Sequence, residues 1–547
     1  MKKNYLVTFL QYNISFRSSS LLLMLLLTGS KILVAQNAFI PLSNPIEGLY
    51  EPYINTVGST VHTSGKPLLL KDVETNTPFD SLNTSRVKDN KFTRTLVGRK
   101  LFKEHLLRVE EDDIKIFLDP VLEFSGGQDQ ENNKNFTTNT RGLWISGSVG
   151  KRFSFSTTFY ENQSSFPTYL DSVVRKTRVV PGQGRVKNFE NNSFDYASAS
   201  GTISFQLNKH FTFQYGHDKV FFGDGYRSLL LSDNAFNYPF VKIVTDIWKV
   251  RYTNVFAEMR DLEKTTINDN EPFRKKYASF HYLDVNLGKR ATVGIFEAVV
   301  WHSDSTGARG FDFGYMNPLI FFRPVEFSIG SPDNVLLGIN WKYKLSSSVQ
   351  LYGQIMLDEF LLKEVKAGNG WWANKQGLQG GFKSFNTFGV KNLKLQGEVN
   401  YVRPYTYQHR EAIGNYGHYR QALAHPLGAN FWEAIGFINY TWKDFDISAR
   451  LSYAEVGYDT SGLNMGQNIY LSYDTHYKEY GNKVGQGDKH QILWADLTVH
   501  YLINPATRLS LFAEVSLRDV KNPYETKGTV LVQGGIRTRL FNRYYDF

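Results

Sequence analysis

The feature that most restricts this chain is the rhythm of its connections. Between residues 115 and 540, segments of about ten residues with one apolar and one polar face are joined alternately by short and long linkers. In Ser348–Asp358, Val349, Leu351, Ile355 and Leu357 alternate with Gln350, Tyr352, Gln354 and Asp358. In Lys391–Tyr401, Leu393, Leu395, Val399 and Tyr401 oppose Lys394, Gln396, Glu398 and Asn400. Asp444–Tyr453 and Thr507–Leu517 repeat the pattern, with Asp446, Ser448, Arg450, Ser510, Glu514 and Ser516 on the polar faces. A period of two marks strands, because successive side chains of a strand point to opposite sides. Alternation alone fits a soluble sandwich as well as a barrel. The linkers separate the two. Tight connections fall at Gly150–Arg152, Asn208–Lys209, Gly288–Arg290, Ser346–Ser347, Lys391, Lys443 and Asn504–Ala506. Long ones fall at Asn162–Ala197, Ser303–Asn334, Glu359–Gln379, Arg403–Phe431 and Gly457–Lys489. Short turns at one end and long loops at the other are the pattern of an outer-membrane barrel.

The rhythm breaks once, between Gly216 and Tyr277. A strand at Pro239–Val244, turning at Thr245–Asp246 into Ile247–Ala257, restores it. The count from Lys115 to Leu540 is then about eighteen antiparallel strands, an even number with both ends periplasmic. The predicted fold is all-β, a transmembrane barrel over residues 115–547. Lys249, Arg251, Glu398, Arg450 and Glu514 supply the charges such an interior needs. At the C-terminus, Val530, Val532, Ile536, Thr538 and Leu540 alternate with Gln533, Arg537 and Arg539. Phe547 suits a terminal assembly signal, yet its parity opposes that of Leu540, so the residues after Phe541 read as a short tail or a bulged end.

Residues 1–35 read as a secretory signal peptide, with Lys2 and Lys3, the apolar run Leu21–Leu27, and Ala35 before Gln36. That run is short of the ~20 residues a spanning helix needs, and no later segment resembles one. An exported chain without spanning helices can still cross a membrane as a barrel. The formal charge of +10 falls to +6 when the four cations Lys2, Lys3, Arg17 and Lys31 are removed with the leader. With no basic run, nucleic acid is not an expected partner. Absence of cysteine excludes disulfides and thiolate metal sites. Residues 36–114 read as an N-terminal periplasmic region with turn-like stretches (Ser43–Pro45, Thr75–Pro78). One short helix is predicted there, Arg94–Arg108, with Val97, Leu101, Phe102 and Leu106 on its apolar face.

One insertion stands apart. Gly223–Phe240 shows no alternation of its own, carries the apolar run Leu229-Leu230-Leu231, and places Arg227 between Asp224 and Asp233. A solvated loop does not keep three leucines cheaply, so the insertion is expected to fold back into the barrel mouth. Asp224, Arg227 and Asp233 are the candidate loop-fixing residues, with Arg227 free to pair with either acid.

At these residues the chain resembles the Wzi-type capsule assembly proteins. The likeness is carried by Gly-Asp-Gly-Tyr-Arg-Ser-Leu-Leu-Leu-Ser-Asp-Asn-Ala at 223–235, by Met-Asn-Pro-Leu-Ile-Phe-Phe-Arg-Pro-Val-Glu at 316–326, and by the export signal. Within that family it is similar to the Bacteroidetes branch, which includes gliding-motility proteins of the RemB kind. The resemblance spans most of the mature chain. It implies an eighteen-stranded outer-membrane barrel with N-terminal helices at its periplasmic base, which helps hold surface polysaccharide and has no catalytic residues. A single helix in Gln36–Glu111 departs from that base.

The outer loops hold the candidate glycan-binding residues: Trp371 and Trp372 in one, and Tyr405, Tyr407, His409, Tyr416 and Tyr419 in another. Flat aromatic faces suit the C–H faces of sugars, and the neighbouring Arg403, Arg410 and Arg420 suit acidic groups. The competing reading is an aromatic girdle at the membrane interface. Arg323, in Phe-Phe-Arg-Pro, reads as a structural ion pair. No Gly-x-Ser-x-Gly elbow or His-Glu-x-x-His pair occurs, and no catalytic residue, cofactor or metal site is predicted. The expected protein is a non-enzymatic, monomeric outer-membrane barrel. Its partners are outer-membrane lipid, surface polysaccharide and, through the resemblance, motility or secretion machinery. A porin-like channel and a barrel enzyme acting on lipid or glycan stay open as alternatives. An occluded outer end favours the binder over the channel.

Overall fold

The computed structural model describes residues 38–74, 77, 82, 86, 87, 89–262, 273–303, 310–318 and 333–547. The predicted signal peptide, Arg323, most of Thr75–Pro78 and the Leu319–Glu326 part of the second motif lie outside the described residues.

Eighteen antiparallel strands close into a barrel. They are β1 (Ile114–Asp129), β2 (Lys134–Val149), β3 (Phe153–Ser164), β4 (Ser193–Gln206), β5 (Phe211–Asp218) and β6 (Tyr238–Ile247). Next come β7 (Val250–Asp261), β8 (Arg274–Leu287), β9 (Ala291–His302), β10 (Asn334–Lys344), β11 (Val349–Leu357) and β12 (Gln376–Phe385). The circuit ends with β13 (Leu393–Val402), β14 (Phe431–Trp442), β15 (Phe445–Tyr458), β16 (Asp488–Asn504), β17 (Leu509–Lys521) and β18 (Thr526–Thr538). Each strand pairs with the next, and β18 returns to β1 along Leu531–Arg537 against Glu123–Asp129. The alternation in the sequence maps onto two faces. Val399, Ile438, Leu451, Leu511 and Val515 are exposed to the outside, while Glu398, Asn400, Gln350 and Gln354 point inward and are buried. An apolar belt on a closed barrel leaves no unpaired edge and is the form in which strands cross an outer membrane. No helix among the described residues is long and apolar enough to cross a membrane.

Three details differ from the sequence reading. The turn after β6 is Trp248–Lys249 rather than Thr245–Asp246, because Asp246 is a lumen residue that takes a bidentate contact from Arg251 (2.6 and 3.0 Å). The helix expected at Arg94–Arg108 is only Leu96–Phe102, with Val97, Leu101 and Leu106 exposed, and it is not alone in its region: Asn44–Ile54, which starts in a stretch read as turn-like, and Leu70–Glu74 are helical too. Leu540 does not continue the lipid face. The chain turns inward after Thr538, so Leu540 packs against Ile40 and Leu68 inside the barrel.

The interior is asymmetric. Residues 38–74, expected below the barrel, run largely within it. Gly65–Lys66 pairs with Phe221–Phe222, and His62 Nδ1 lies 3.0 Å from Asp284. On helix Asn44–Ile54, Glu51 takes both Lys383 and Lys394. These residues and the 219–237 loop pack the half of the lumen walled by β6–β13, where Lys242, Asn340 and Gln354 are buried. The other half keeps a cavity of about 450 Å3, bordered by Ser448, Arg450, Asp496, Glu514 and Arg537.

Candidate functional site

The site is built on the insertion between β5 and β6. Gly223 has φ +154°, and a Cβ there would sit 2.6 Å from the Gln354 amide. A Cβ on Gly225 would collide with Glu398. Both positions therefore need glycine so that the backbone can approach the barrel wall. Beyond them the wall receives the loop: Glu398 accepts from Tyr226 N (2.8 Å) and Arg227 N (3.1 Å), and Gln354 accepts from Leu229 N (2.8 Å). Leu229, Leu230 and Leu231 are fully buried in one apolar core with Phe222, Phe280, Tyr282 and Phe296.

Asp224, Arg227 and Asp233 all tether this loop, but not to each other. Arg227 Nη2 reaches Glu433 and Asp546, each at 3.1 Å. Its guanidinium is flanked by the Tyr226 and Tyr544 rings, at 4.7 and 5.6 Å. Asp224 accepts from Thr63 Oγ1 (2.5 Å) and faces Lys342. Asp233 accepts from Tyr544 Oη (2.7 Å) and Asn542 Nδ2 (2.9 Å). The partners lie far away in sequence, on the barrel wall (Lys342, Glu433) and in the segments near the two ends (Thr63, Asn542, Tyr544, Asp546), which no local spacing reveals. Burial works to raise the carboxyl pKa of Asp546, and the Arg227 and Arg450 guanidiniums overcome it, holding the group below the usual range.

The 403–430 loop lies over the insertion and is held to it by tyrosines. Tyr407 Oη donates to Leu229 O (2.7 Å), and Tyr416 Oη donates to Leu230 O (2.6 Å). Tyr405, Tyr407 and Tyr416 are 0–1% exposed. They are pillars of the loop core, with their rings closed off from solvent. His409 is buried too, edge-on to Tyr473, and burial lowers its imidazole pKa. Tyr419 is half-buried in a separate cluster with Phe236 and Phe273.

Trp371 and Trp372 remain at the surface, and the fold gives them companions that the sequence reading missed. The 459–487 loop comes alongside. His476 stacks on Trp372 (4.3 Å, 14°), Tyr473 lies 5.1 Å from the same ring, and Trp371 Nε1 donates to Glu479 (2.7 Å). Tyr477 and Tyr480 stand about half exposed beside them. Burial, then Glu359 and Asp474, push the Tyr473 phenol up to about 12, so it stays a neutral donor. The recurrence of Tyr and His at 470, 473, 476, 477 and 480 was the available signal. The resulting surface offers several ring faces, a carboxylate at Glu479 and the exposed Arg410–Asp474 pair. It can stack, donate and accept. No group of His, Asp and Glu among the described residues is arranged to hold a metal ion.

No family model matches the chain, and no curated protein matches it. Among solved structures it is similar to Wzi, an outer-membrane protein involved in group 1 capsule assembly in Escherichia coli and described as a carbohydrate-binding β-barrel. The TM-score is 0.55 at 13% identity, over 92% of this chain and 99% of that one. The shared feature is the fold. Looser similarity joins it to Pseudomonas aeruginosa OprD (TM-score 0.41, 11% identity, 77% of this chain and 94% of that one). It is comparable for OpdK bound to vanillate, from the same organism (0.44, 9%, 78% and 97%). The chain is an outer-membrane barrel.

Proposed function

We propose that this protein binds polysaccharide at the cell surface and helps retain or assemble it there, without catalysis. One observation carries the reading: the 219–237 loop and the 403–430 loop fill the outer end of the lumen together, leaving the Trp371–Trp372–Tyr473–His476 platform on top. A filled mouth disfavours the porin-like alternative. Binding would be non-covalent, by ring stacking on sugar faces, with weak single contacts multiplied along a repeating polymer. The carbohydrate binding described for Wzi agrees with this reading. A link to gliding motility or secretion machinery rests on the resemblance carried by 223–235, 316–326 and the export signal. Export by residues 1–35, a periplasmic role for part of residues 36–114 and a monomeric state complete the proposal.

The test pairs retention of purified surface polysaccharide with single-channel conductance in planar bilayers. The unmutated protein should retain glycan and conduct little. Replacing Trp371, Trp372 and His476 by Ala should cut retention while the barrel stays heat-modifiable. Steady large conductance with no glycan retained would reject the binder in favour of the channel.

A further inference from the structure

The closing seam of the barrel is incomplete, and a different part of the chain completes it. β18 stops at Thr538, so it covers only Glu123–Asp129 of β1. Below that point Ile114–Leu118 of β1 pairs instead with Leu107–Glu111. Cross-strand partners share a face, so Leu107 opposite Leu118 and Val109 opposite Ile116 look outward with the lipid-facing row. Arg108 lies over the Phe117 ring on the inner face, at 5.9 Å. Leu106 N donates to the buried Asp119 (2.9 Å), which fixes the entry to this short strand.

The helix Leu96–Phe102 continues the patch. Thr95 caps it through Gly98 N (3.1 Å), and Asn504, at the inner end of β16, donates to Lys100 O and Glu104 O, both at 3.0 Å. So anchored at the short-turn rim, the helix turns its apolar residues away from the protein: Leu96 is 66% exposed, Val97 60% and Leu101 46%. Phe92, Leu106, Leu107 and Val109 are exposed as well, and so are Ile114, Val149 and Phe153 on the adjoining barrel wall. A soluble surface does not gather so many large apolar side chains without a purpose. Between residues 89 and 111 six cations stand against four acids. Most of these are paired, as in Lys103–Asp89 (2.7 Å) and Lys100–Glu104 (3.2 Å), leaving a small positive excess.

We propose that residues 92–109 are a membrane element: a seam-filling strand and an interfacial helix seated in the phospholipid leaflet that faces the periplasm. The patch is continuous with the lipid belt of the barrel and lies at its short-turn end, which selects that leaflet as its occupant. Amphipathic segments of this kind sit ~5–10 Å into the headgroup boundary. Apolar burial supplies most of the attachment, because the charge excess is small.

The chain contains no cysteine, so single labels are clean. Val97→Cys and Leu101→Cys, each labelled with an environment-sensitive fluorophore in the full protein refolded into phosphatidylcholine vesicles, should emit blue-shifted light. Brominated lipid should quench them several-fold more than it quenches a label at Lys91→Cys. Adding phosphatidylglycerol should change this little. Quenching by aqueous iodide without quenching by brominated lipid would overturn the proposal. So would protection from both quenchers, which would mark a second protein copy on the patch. Heat modifiability of each labelled barrel confirms that it is folded.

Discussion

Arg227, in the loop that fills the lumen, and Asp546, the second-to-last residue of the chain, lie 3.1 Å apart inside the barrel. Arg450 approaches the same carboxylate at 2.6 Å, and Tyr226 Oη donates to it at 3.1 Å. A loop from one part of the sequence and the C-terminal tail are thus tied by buried charges. Removing one partner of such a pair costs more than the pair contributes, because the remaining charge stays buried and uncompensated.

Arg227→Ala should therefore destabilise the loop core by roughly 3–5 kcal/mol. Its partners Glu433 and Asp546 are left facing one another. Proteolysis of 219–237 and stepwise bilayer conductance report the loosening. Deleting residues 542–547 should produce the same phenotype, since it removes Asn542, Tyr544 and Asp546 together. Unchanged protection in both variants would show that apolar packing of Leu229–Leu231 holds the loop alone.

The tether should be acid-labile. Asp546 and Asp224 both have carboxyls held below their ordinary value despite burial, Asp546 by Arg227 and Arg450 and Asp224 by Lys342 and the Thr63 hydroxyl. A group whose folded pKa is depressed stabilises above its unfolded pKa and loses that contribution as pH falls through the folded value. Protease protection of the loop should hold at neutral pH and decline below about pH 4. Protection persisting unchanged into strong acid would contradict it.

An arginine scan should separate three environments. Leu351→Arg and Leu395→Arg, on the lipid face, should impair assembly, costing roughly 2–4 kcal/mol near the midplane. Ser448→Arg borders the cavity and should be tolerated. Gln396→Arg borders the same cavity and should be tolerated as well, whereas Gln350 also faces inward but at 1% exposure has no room, so Gln350→Arg should be harmful too. Yield of heat-modifiable barrel ranks the variants.

Pillar and platform residues should part company. Tyr407→Phe deletes only the hydrogen bond to Leu229 O, worth about 0.5–1.5 kcal/mol. It should lower the midpoint of loop opening in urea while leaving polysaccharide retention intact. Trp371→Ala should do the reverse, because its ring is half-exposed and its indole bonds only the surface residue Glu479.

The barrel itself was legible because its signal is local and repeated: two faces per strand, and turns short on one side only. Even the return of the 223–240 insertion into the lumen could be read, since three consecutive leucines have nowhere else to go. The partners of Arg227 could not. Glu433 stands on β14 and Asp546 on the tail, whereas Asp224 and Asp233 were simply the acids nearest in sequence. Aromatic density likewise marked the 403–430 loop without telling inward from outward. Tyr405, Tyr407 and Tyr416 support the loops, and the ring faces offered to solvent include Tyr473, His476 and Tyr477 from a loop not singled out.

The short ladder between β18 and β1 bears on whether the barrel wall can open sideways. A short ladder is one line along which a barrel wall could part to make a lateral gate. Here that line is bound from within, since Arg543 on the tail holds Glu123 of β1 at 2.5 Å and Arg537 on β18 sits 4.0 Å from the same acid. Parting the wall would drag the tail off Arg227 and Asp233. The end of the chain thus bolts this side of the wall from within.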